Sequence, residues 1–356
     1  VLDWSAWVAR IAAEYPQLAT QPLGDCCAWI QKKHPDQLAI SLELGELVAD
    51  LRLDTASVLA ALVYRLVRTE RVSKSDLRTR LGNEATDLAF SVAAMATTSL
   101  LEMSDSPMLA KEQQSQVENV KRMLASMIDD ARVAAIKLAE RVLALRQAKD
   151  YEPQRRERIA QEAGSIFSPL ANRLGIWQLK WELEDLSLRY LREDIYLGIA
   201  KQLSQKRQQR EQQVQAMTER VVVLLGDHGI NAEVYGRAKN IFSIWLKMQA
   251  KSIPIEEVYD VRALRIIVDS LADCYAALGV IHTTWQHLPR EFDDYIAVPK
   301  ENGYQSIHTA VTADDGHTLE VQIRTRDMHE DSELGVCAHW AYKSGRQQAA
   351  DEDESF

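Results

Sequence analysis

A chain of 356 residues, 46% apolar and 26% charged, holds enough material for one or two packed cores. That balance excludes wholesale disorder, collagen-like repeats and a disulfide scaffold. Its formal charge of −10, from 42 Lys and Arg against 52 Asp and Glu, excludes a surface that coats nucleic acid but leaves room for a small basic nucleotide pocket.

No stretch approaches the ~18 uninterrupted apolar residues that a bilayer crossing needs. The opening Val1-Leu2-Asp3-Trp4 lacks the basic-then-apolar pattern of a secretory leader. Up to about residue 215 the pattern is helical nearly throughout. Val58-Leu59-Ala60-Ala61-Leu62-Val63, running on into Leu66-Val67, predicts a buried helix. Residues 117–145 carry Val120, Met123, Leu124, Met127 and Ile128 at helical spacing. Residues 175–192 hold a stripe of Ile176, Leu179, Leu183, Leu186 and Tyr190. The polar run 201–215, rich in Gln and Arg, predicts a helix that bridges two domains.

After residue 218 the pattern changes. A helix over 221–225 stops at Gly226, with Gly229 in the turn that follows. Strand-like runs then occupy 232–235, 261–268, 295–298, 307–311 and 319–323, with helices over 242–250 and 271–284 among them. Asp314-Asp315-Gly316 is a hairpin signal between the last two strands, and 345–356 is polar and acidic, as at the start of a linker. The fold class is therefore α+β: an all-α first part, then a mixed sheet, with the boundary between residues 200 and 220. The cysteines Cys26, Cys27, Cys274 and Cys337 include an adjacent pair and no C-x-x-C. They imply buried, neutral thiols in a reducing, cytoplasmic setting.

The chemistry-bearing residues concentrate in the second half. Period-two alternation in 319–324 buries Leu319, Val321 and Ile323 and lines Glu320, Gln322 and Arg324 along the other face. A solvated strand face has the same pattern. Asp260 opens a second strand and meets Glu320 if the two strands are neighbours. Two converging carboxylates are how Mg²⁺ is commonly held beside a phosphate, although two unrelated surface acids carry the same letters. The loop around Pro299 and Gly303 presents Lys300, Asn302, Tyr304, Gln305 and His308, groups suited to a nucleoside. Arg237 and Lys239 precede a helix on which Ser243 and Lys247 share a face. This is a plausible polyphosphate cradle without P-loop spacing; a basic helix start is also commonly a solvated face.

These residues carry a resemblance. Tyr235-Gly236-Arg237 with Lys239, Tyr259-Asp260-Val261-Arg262-Ala263, Asn302 to Thr309, Glu320-Val321-Gln322-Ile323-Arg324-Thr325 and Ala338-His339-Trp340-Ala341-Tyr342-Lys343 resemble the synthetase domain of the RelA/SpoT-type (p)ppGpp synthetases. Lys137 to Arg141 and Leu170 to Gly175 extend the likeness upstream. The resemblance implies that the 3′-OH of GTP or GDP attacks the β-phosphorus of ATP, with Mg²⁺ as cofactor and AMP as leaving group. By the same resemblance, Asp260 and Glu320 bind the metal and Glu320 is the general base. Arg237, Lys239, Ser243, Lys247 and, less directly, Arg265 grip ATP. Tyr304 stacks on guanine, and Lys300, Asn302, Gln305 and His308 orient the acceptor. Glu291-Phe292-Asp293-Asp294 stands where bifunctional members carry a basic R-x-K-D run, which resembles the synthetase-only RelA branch and its preference for GTP.

Bifunctional relatives carry an Mn²⁺ hydrolase of HD type at the N-terminus. At the corresponding positions this chain has Tyr64, Arg65, Arg68, Thr69 and Glu140, and only His34 precedes residue 228. An inactive hydrolase domain is expected, since the ligand set is absent and Arg65 and Arg68 repel a divalent cation. The expected layout is a degenerate HD-like domain over 1–170, connecting helices over 171–216, a nucleotidyltransferase-like synthetase domain over 217–345 and a linker over 346–356. Full-length relatives meet the ribosome and uncharged tRNA through C-terminal domains; no membrane and no direct DNA binding are expected. The alternatives are a catalytically silent nucleotide-sensing scaffold and a nucleotidyltransferase with another acceptor.

Overall fold

The computed structural model describes residues 3–96, 130–205, 207–236, 240–254 and 262–337. Two compact units are built on Val1–Phe167 and on Ser168–Glu333.

In the first unit α1 (Trp4–Glu14), α2 (Thr20–Lys33), α3 (Leu38–Asp50), α4 (Thr55–Arg68), α5 (Lys74–Ala96), α6 (Ala131–Gln147) and α7 (Pro153–Glu162) pack around a shared apolar interior. The expected run in α4 is buried from Ser57 to Tyr64 and again at Leu66 and Val67. Asp54 caps this helix, its carboxylate accepting from the Ser57 amide at 2.8 Å. The other carboxylate oxygen of Asp54 lies 2.5 Å from the buried Arg132 guanidinium of α6, which Asp130 and Glu84 also hold. Gly45 of α3 lets the helices approach closely: a Cβ there would stand 2.9 Å from Leu62 Cδ2 of α4 and 3.3 Å from the Trp7 ring, so a larger residue would have to displace buried side chains. The expected helix over 117–145 is described only from residue 130, and it forms from Ala131; Val120, Met123, Leu124, Met127 and Ile128 lie outside the described residues.

The second unit opens with α8 (Ser168–Arg173), α9 (Trp177–Leu191), α10 (Glu193–Gln205) and α11 (Arg207–Asp227). Gly175, at φ +72°, turns the chain between α8 and α9. Residues 201–215 are divided between α10 and α11, and α11 continues into Val221 and Leu225, which are fully buried beneath the sheet. Residues 168–227 thus cluster with the sheet.

That sheet consists of β1 (Ala232–Gly236), β2 (Arg262–Val268), β3 (Gln286–His287), β4 (Asp293–Asp294), β5 (Ile307–Thr312) and β6 (Thr318–Thr325). Its order is β1-β2-β6-β5-β3, with β4 also on β5. β2 and β6 run parallel, in register Leu264 with Val321, and the other pairs are antiparallel. The helices α12 (Ile241–Lys251) and α13 (Leu271–Thr284) interleave with the strands, and α14 (Arg326–Leu334) follows β6. Leu264, Ile266, Ile307, Val311, Val321 and Ile323 fill one face against α11 and α13. The turn at Asp314-Asp315-Gly316 forms as expected, with the Gly316 amide donating to Ala313 O at 2.9 Å and Gly316 at φ +77°.

One expected strand does not form. Residues 295–298 are a turn, because the Asp294 carboxylate accepts from the Ile296 and Ala297 amides at 3.0 and 2.9 Å and bends the backbone before a ladder can propagate. Only Asp293 and Asp294, just upstream, pair with β5.

Candidate active site

The strand registers set the polar face of the sheet. Tyr235 of β1, Arg265 of β2, Gln322 of β6 and His308 of β5 are successive register partners and form one row across the sheet. Glu320 lies two residues along β6 on the same face, about 7 Å away. Its partners are Ala263 and Ala310, whose methyl groups leave the carboxylate room on both sides.

Lys247 of α12 reaches Glu320, with its ammonium 2.6 Å from Oε1. Both side chains are partly exposed, at 37% and 24%, so the pair is open to solvent and exchangeable. Ser243 lies one turn earlier on α12 and is half-buried. The amides at the start of α12 are already occupied: Asp185 of α9 accepts from Phe242 N at 2.8 Å and Ile241 N at 3.3 Å. Burial pushes the Asp185 carboxyl above its ordinary range, against the pull of those amides. The expected use of this helix start for phosphate therefore meets an internal competitor. Asp260, Arg237 and Lys239 lie outside the described residues.

Beside the row is a cleft of about 170 Å³. Its aromatic side is Trp177, Trp181 and Tyr304, and its cations are Arg265, Lys300 and Arg324; His308, Gln322, Ser332 and Glu333 complete it. Three fixed cations against one carboxylate favour an anionic ligand. The Tyr304 hydroxyl shares a 2.8 Å hydrogen bond with His308 Nε2. Lys300 Nζ lies 4.2 Å from the Tyr295 ring centre and 5.5 Å from that of Tyr304. Arg324 is 1% exposed, is bonded to Ser332, and lies 3.7 Å from Glu333. Glu333 also holds Arg265, at 3.1 Å.

The expected acceptor residues separate into two groups. Lys300, Tyr304 and His308 line the cleft, together with Arg265 from the expected ATP set. Asn302 and Gln305 shape the loop instead. Asn302 donates to Asn172 O at 3.1 Å and accepts from the Tyr304 amide, while Gln305 reaches Ile296 O at 3.5 Å. Gly303, at φ +77°, makes the turn between Lys300 and Tyr304 possible. Trp177, Trp181, Ser332 and Glu333 were not foreseen. A Trp pair at i, i+4 reads in a sequence as core, and Glu333 as one more surface acid.

In the first unit Tyr64, Arg65 and Glu140 border a hollow of only about 20 Å³. Thr69 Oγ1 bonds back to Arg65 O at 2.8 Å. The Glu140 carboxylate takes Lys137 Nζ at 2.8 Å and Arg141 Nε and Nη2, each at 2.7 Å; Glu162 lies 3.5 Å from Arg141. Burial pulls the Lys137 ammonium down to about 8, with Glu140 opposing. Burial alone would raise the Glu140 carboxyl, but Lys137 and Arg141 hold it well below the carboxylate range. Burial pushes the Tyr64 hydroxyl above its ordinary value. Among the described residues no cluster of three or more His, Cys, Asp or Glu side chains is arranged to hold a metal.

The region found in RelA / SpoT proteins matches residues 236–347, and an HD domain matches residues 30–177. A GTP pyrophosphokinase of Photobacterium angustum is 48% identical over 317 residues, covering 88% of this chain and 42% of that protein. The chain belongs to the RelA/SpoT family. Another family member, from Synechocystis, is named a probable guanosine-3′,5′-bis(diphosphate) 3′-pyrophosphohydrolase and is 38% identical, over 88% of this chain and 40% of that protein. The chain spans less than half the length of the curated relatives it matches. Among solved structures, small alarmone synthetase 1 from Bacillus subtilis bound to its product pppGpp is 26% identical, covering 44% of this chain and 95% of that one, with a TM-score of 0.31. Among the described residues no helix is long and apolar enough to cross a membrane.

Proposed function

We propose that this chain transfers the β,γ-pyrophosphate of ATP to the 3′-OH of GTP or GDP, giving (p)ppGpp and AMP. The observation that carries this reading is a carboxylate, Glu320, on the same strand face as an aromatic and cationic cleft that holds Lys300, Tyr304 and His308. Phosphoryl-type transfer asks a protein for position and charge more than for covalent chemistry. Glu320 takes the proton of the 3′-OH, the 3′-oxygen bonds to the β-phosphorus, and the bond from that phosphorus to the α-phosphate oxygen breaks with its electron pair going to AMP. Lys247 and Arg265, now held by Glu320 and Glu333, are the cations that pass to the polyphosphate; the family resemblance adds Ser243, Arg237 and Lys239 to that set. Tyr304 gives the base an aromatic surface, and His308 fixes its hydroxyl.

Glu320 and Asp260 offer the hard oxygen donors that suit Mg²⁺, and the ammonium seated on Glu320 shows that this carboxylate takes a cation. When bound, Mg²⁺ would neutralise phosphate charge. The acidic stretch Glu291 to Asp294 supports membership of the synthetase-only branch and a preference for GTP. Activation by the ribosome and uncharged tRNA would act through regions that relatives carry outside the matched span, and the reaction would take place in the cytoplasm.

The first unit, on this reading, no longer hydrolyses the product. A hollow of about 20 Å³ has room for about one water, Arg65 stands on its lining, and Lys137 and Arg141 already occupy the Glu140 carboxylate. Incubation with ATP, GTP and Mg²⁺, resolved by thin-layer chromatography, is expected to give AMP and pppGpp. No product, or a product on another acceptor, refutes the synthetase reading. Release of pyrophosphate from ppGpp in Mn²⁺ refutes the loss of hydrolysis.

A further inference from the structure

The synthetase match begins at residue 236, yet one wall of the cleft comes from α9, far upstream. Trp177 and Trp181 lie at i and i+4 on that helix, so both face one way. Their ring centres are 6.3 Å apart. The Trp177 ring stands edge-on to Tyr304, at 5.8 Å and 65°. Tyr304 in turn meets His308 at 5.6 Å and Tyr295 at 6.2 Å. The aromatic system thus starts on α9 and ends on β5.

Two further contacts hold the pieces in register. Asn302 Nδ2 donates to Asn172 O, tying the Tyr304 loop to the segment that enters α9. Lys180 Nζ sits 5.2 Å from the Trp177 ring and pairs with Glu184 at 2.7 Å, and Glu184 accepts from Ser168. Trp177 is therefore held from its own helix and presses on a ring of the cleft. A half-buried indole in this position fixes the orientation of its neighbour through edge-to-face geometry.

We propose that Trp177 is a positioning residue for the purine of the acceptor nucleotide, acting by orienting Tyr304. The segment 172–181, from the end of α8 through the Gly175 turn into α9, is thereby part of the acceptor subsite. This inference rests on the guanine-nucleotide reading of the cleft. Without the indole, Tyr304 keeps its contacts to His308 and Tyr295 but loses the edge contact on its α9 side, and gains freedom to tilt toward that side. The consequence falls on acceptor affinity, since the ring that loses support is that of Tyr304, while Lys247 is paired with Glu320.

The test is calorimetric binding of GTP and ATP to the full chain and to Trp177→Ala and Trp177→Phe, with steady-state kinetics alongside. Trp177→Ala is expected to raise the Kd and KM for GTP about five- to tenfold. ATP affinity and kcat at saturating GTP are expected to stay within about twofold, and Trp177→Phe to restore most of the loss. GTP affinity equal to that of the unaltered chain, or a matching loss for ATP, overturns the inference. If Trp177→Ala does not fold, the GTP-induced change in tryptophan fluorescence decides, and it is expected to shrink in Trp177→Phe. An unchanged signal there overturns the inference. Failure of the unaltered chain to bind GTP overturns the reading of the cleft itself, and this inference with it.

Discussion

Glu140→Gln tests the buried ion cluster of the first unit. The Glu140 carboxylate receives three short donor contacts, at 2.7–2.8 Å, from Lys137 and Arg141. The Lys137, Glu140, Arg141 and Glu162 side chains are 3%, 13%, 15% and 8% exposed, so water compensates little. Two cations balance two carboxylates; the amide removes one anion and leaves Glu162, at 3.5 Å from Arg141, to face both cations. Breaking a buried pair from one side costs about 3–5 kcal/mol, a large share of the ~5–15 kcal/mol that holds a domain together. For a unit of this size that corresponds to a drop of roughly 6–20 °C in Tm. The assay is urea and thermal unfolding followed by circular dichroism. The pH dependence supplies a second readout. Because the Glu140 carboxyl is depressed in the folded chain, its contribution is complete above the unfolded carboxylate range and fades as pH falls below about 4.5. The variant's acid limb should therefore be shallower. The double change Lys137→Met with Glu140→Met removes both signs together and should cost far less than Glu140→Gln alone. A loss under about 1 kcal/mol for Glu140→Gln refutes the argument, because an ion cluster that mattered cannot lose a member so cheaply.

Two further expectations concern the proposed active site. Glu320→Gln should lower kcat by at least about 10²-fold while GTP and ATP still bind, because the amide cannot take the 3′-OH proton; turnover near that of the unaltered chain removes the general-base role. Tyr304→Ala should weaken GTP binding about tenfold and ATP binding little, in line with the ~1–3 kcal/mol of base stacking; titration calorimetry giving equal losses for both nucleotides refutes the stacking assignment.

Much of this was legible because strands and helices leave a period. Leu319, Val321 and Ile323 announced their buried face, and with it the row of Glu320 and Gln322. The helix expected over 271–284 forms as Leu271–Thr284, with Ser270 accepting from the Asp273 amide as its cap. What stayed hidden depends on side chains meeting across long separations. Nothing near Asn302 says that it serves Asn172 O, and nothing near Asp185 says that it caps a helix start more than fifty residues on. The stretch 295–298 misled because its apolar letters suit a strand, while Asp294 spends its carboxylate on the following amides. Glu333 gave no signal at all, since its meaning comes only from Arg265 and Arg324 arriving from neighbouring strands.

The parallel pairing of β2 with β6 sets an order on synthesis. Leu264 waits for Val321, and everything between them must be made before the middle of the sheet can close. Such non-local pairing assembles late and slowly. A nascent chain that has released α9, β1 and β2 but not Thr325 has the α9 wall of the cleft without the complete strand that carries Glu320, Gln322 and Arg324. The proposed site thus comes into existence, by topology alone, only when β6 and the Ser332 and Glu333 that follow it have left the exit tunnel.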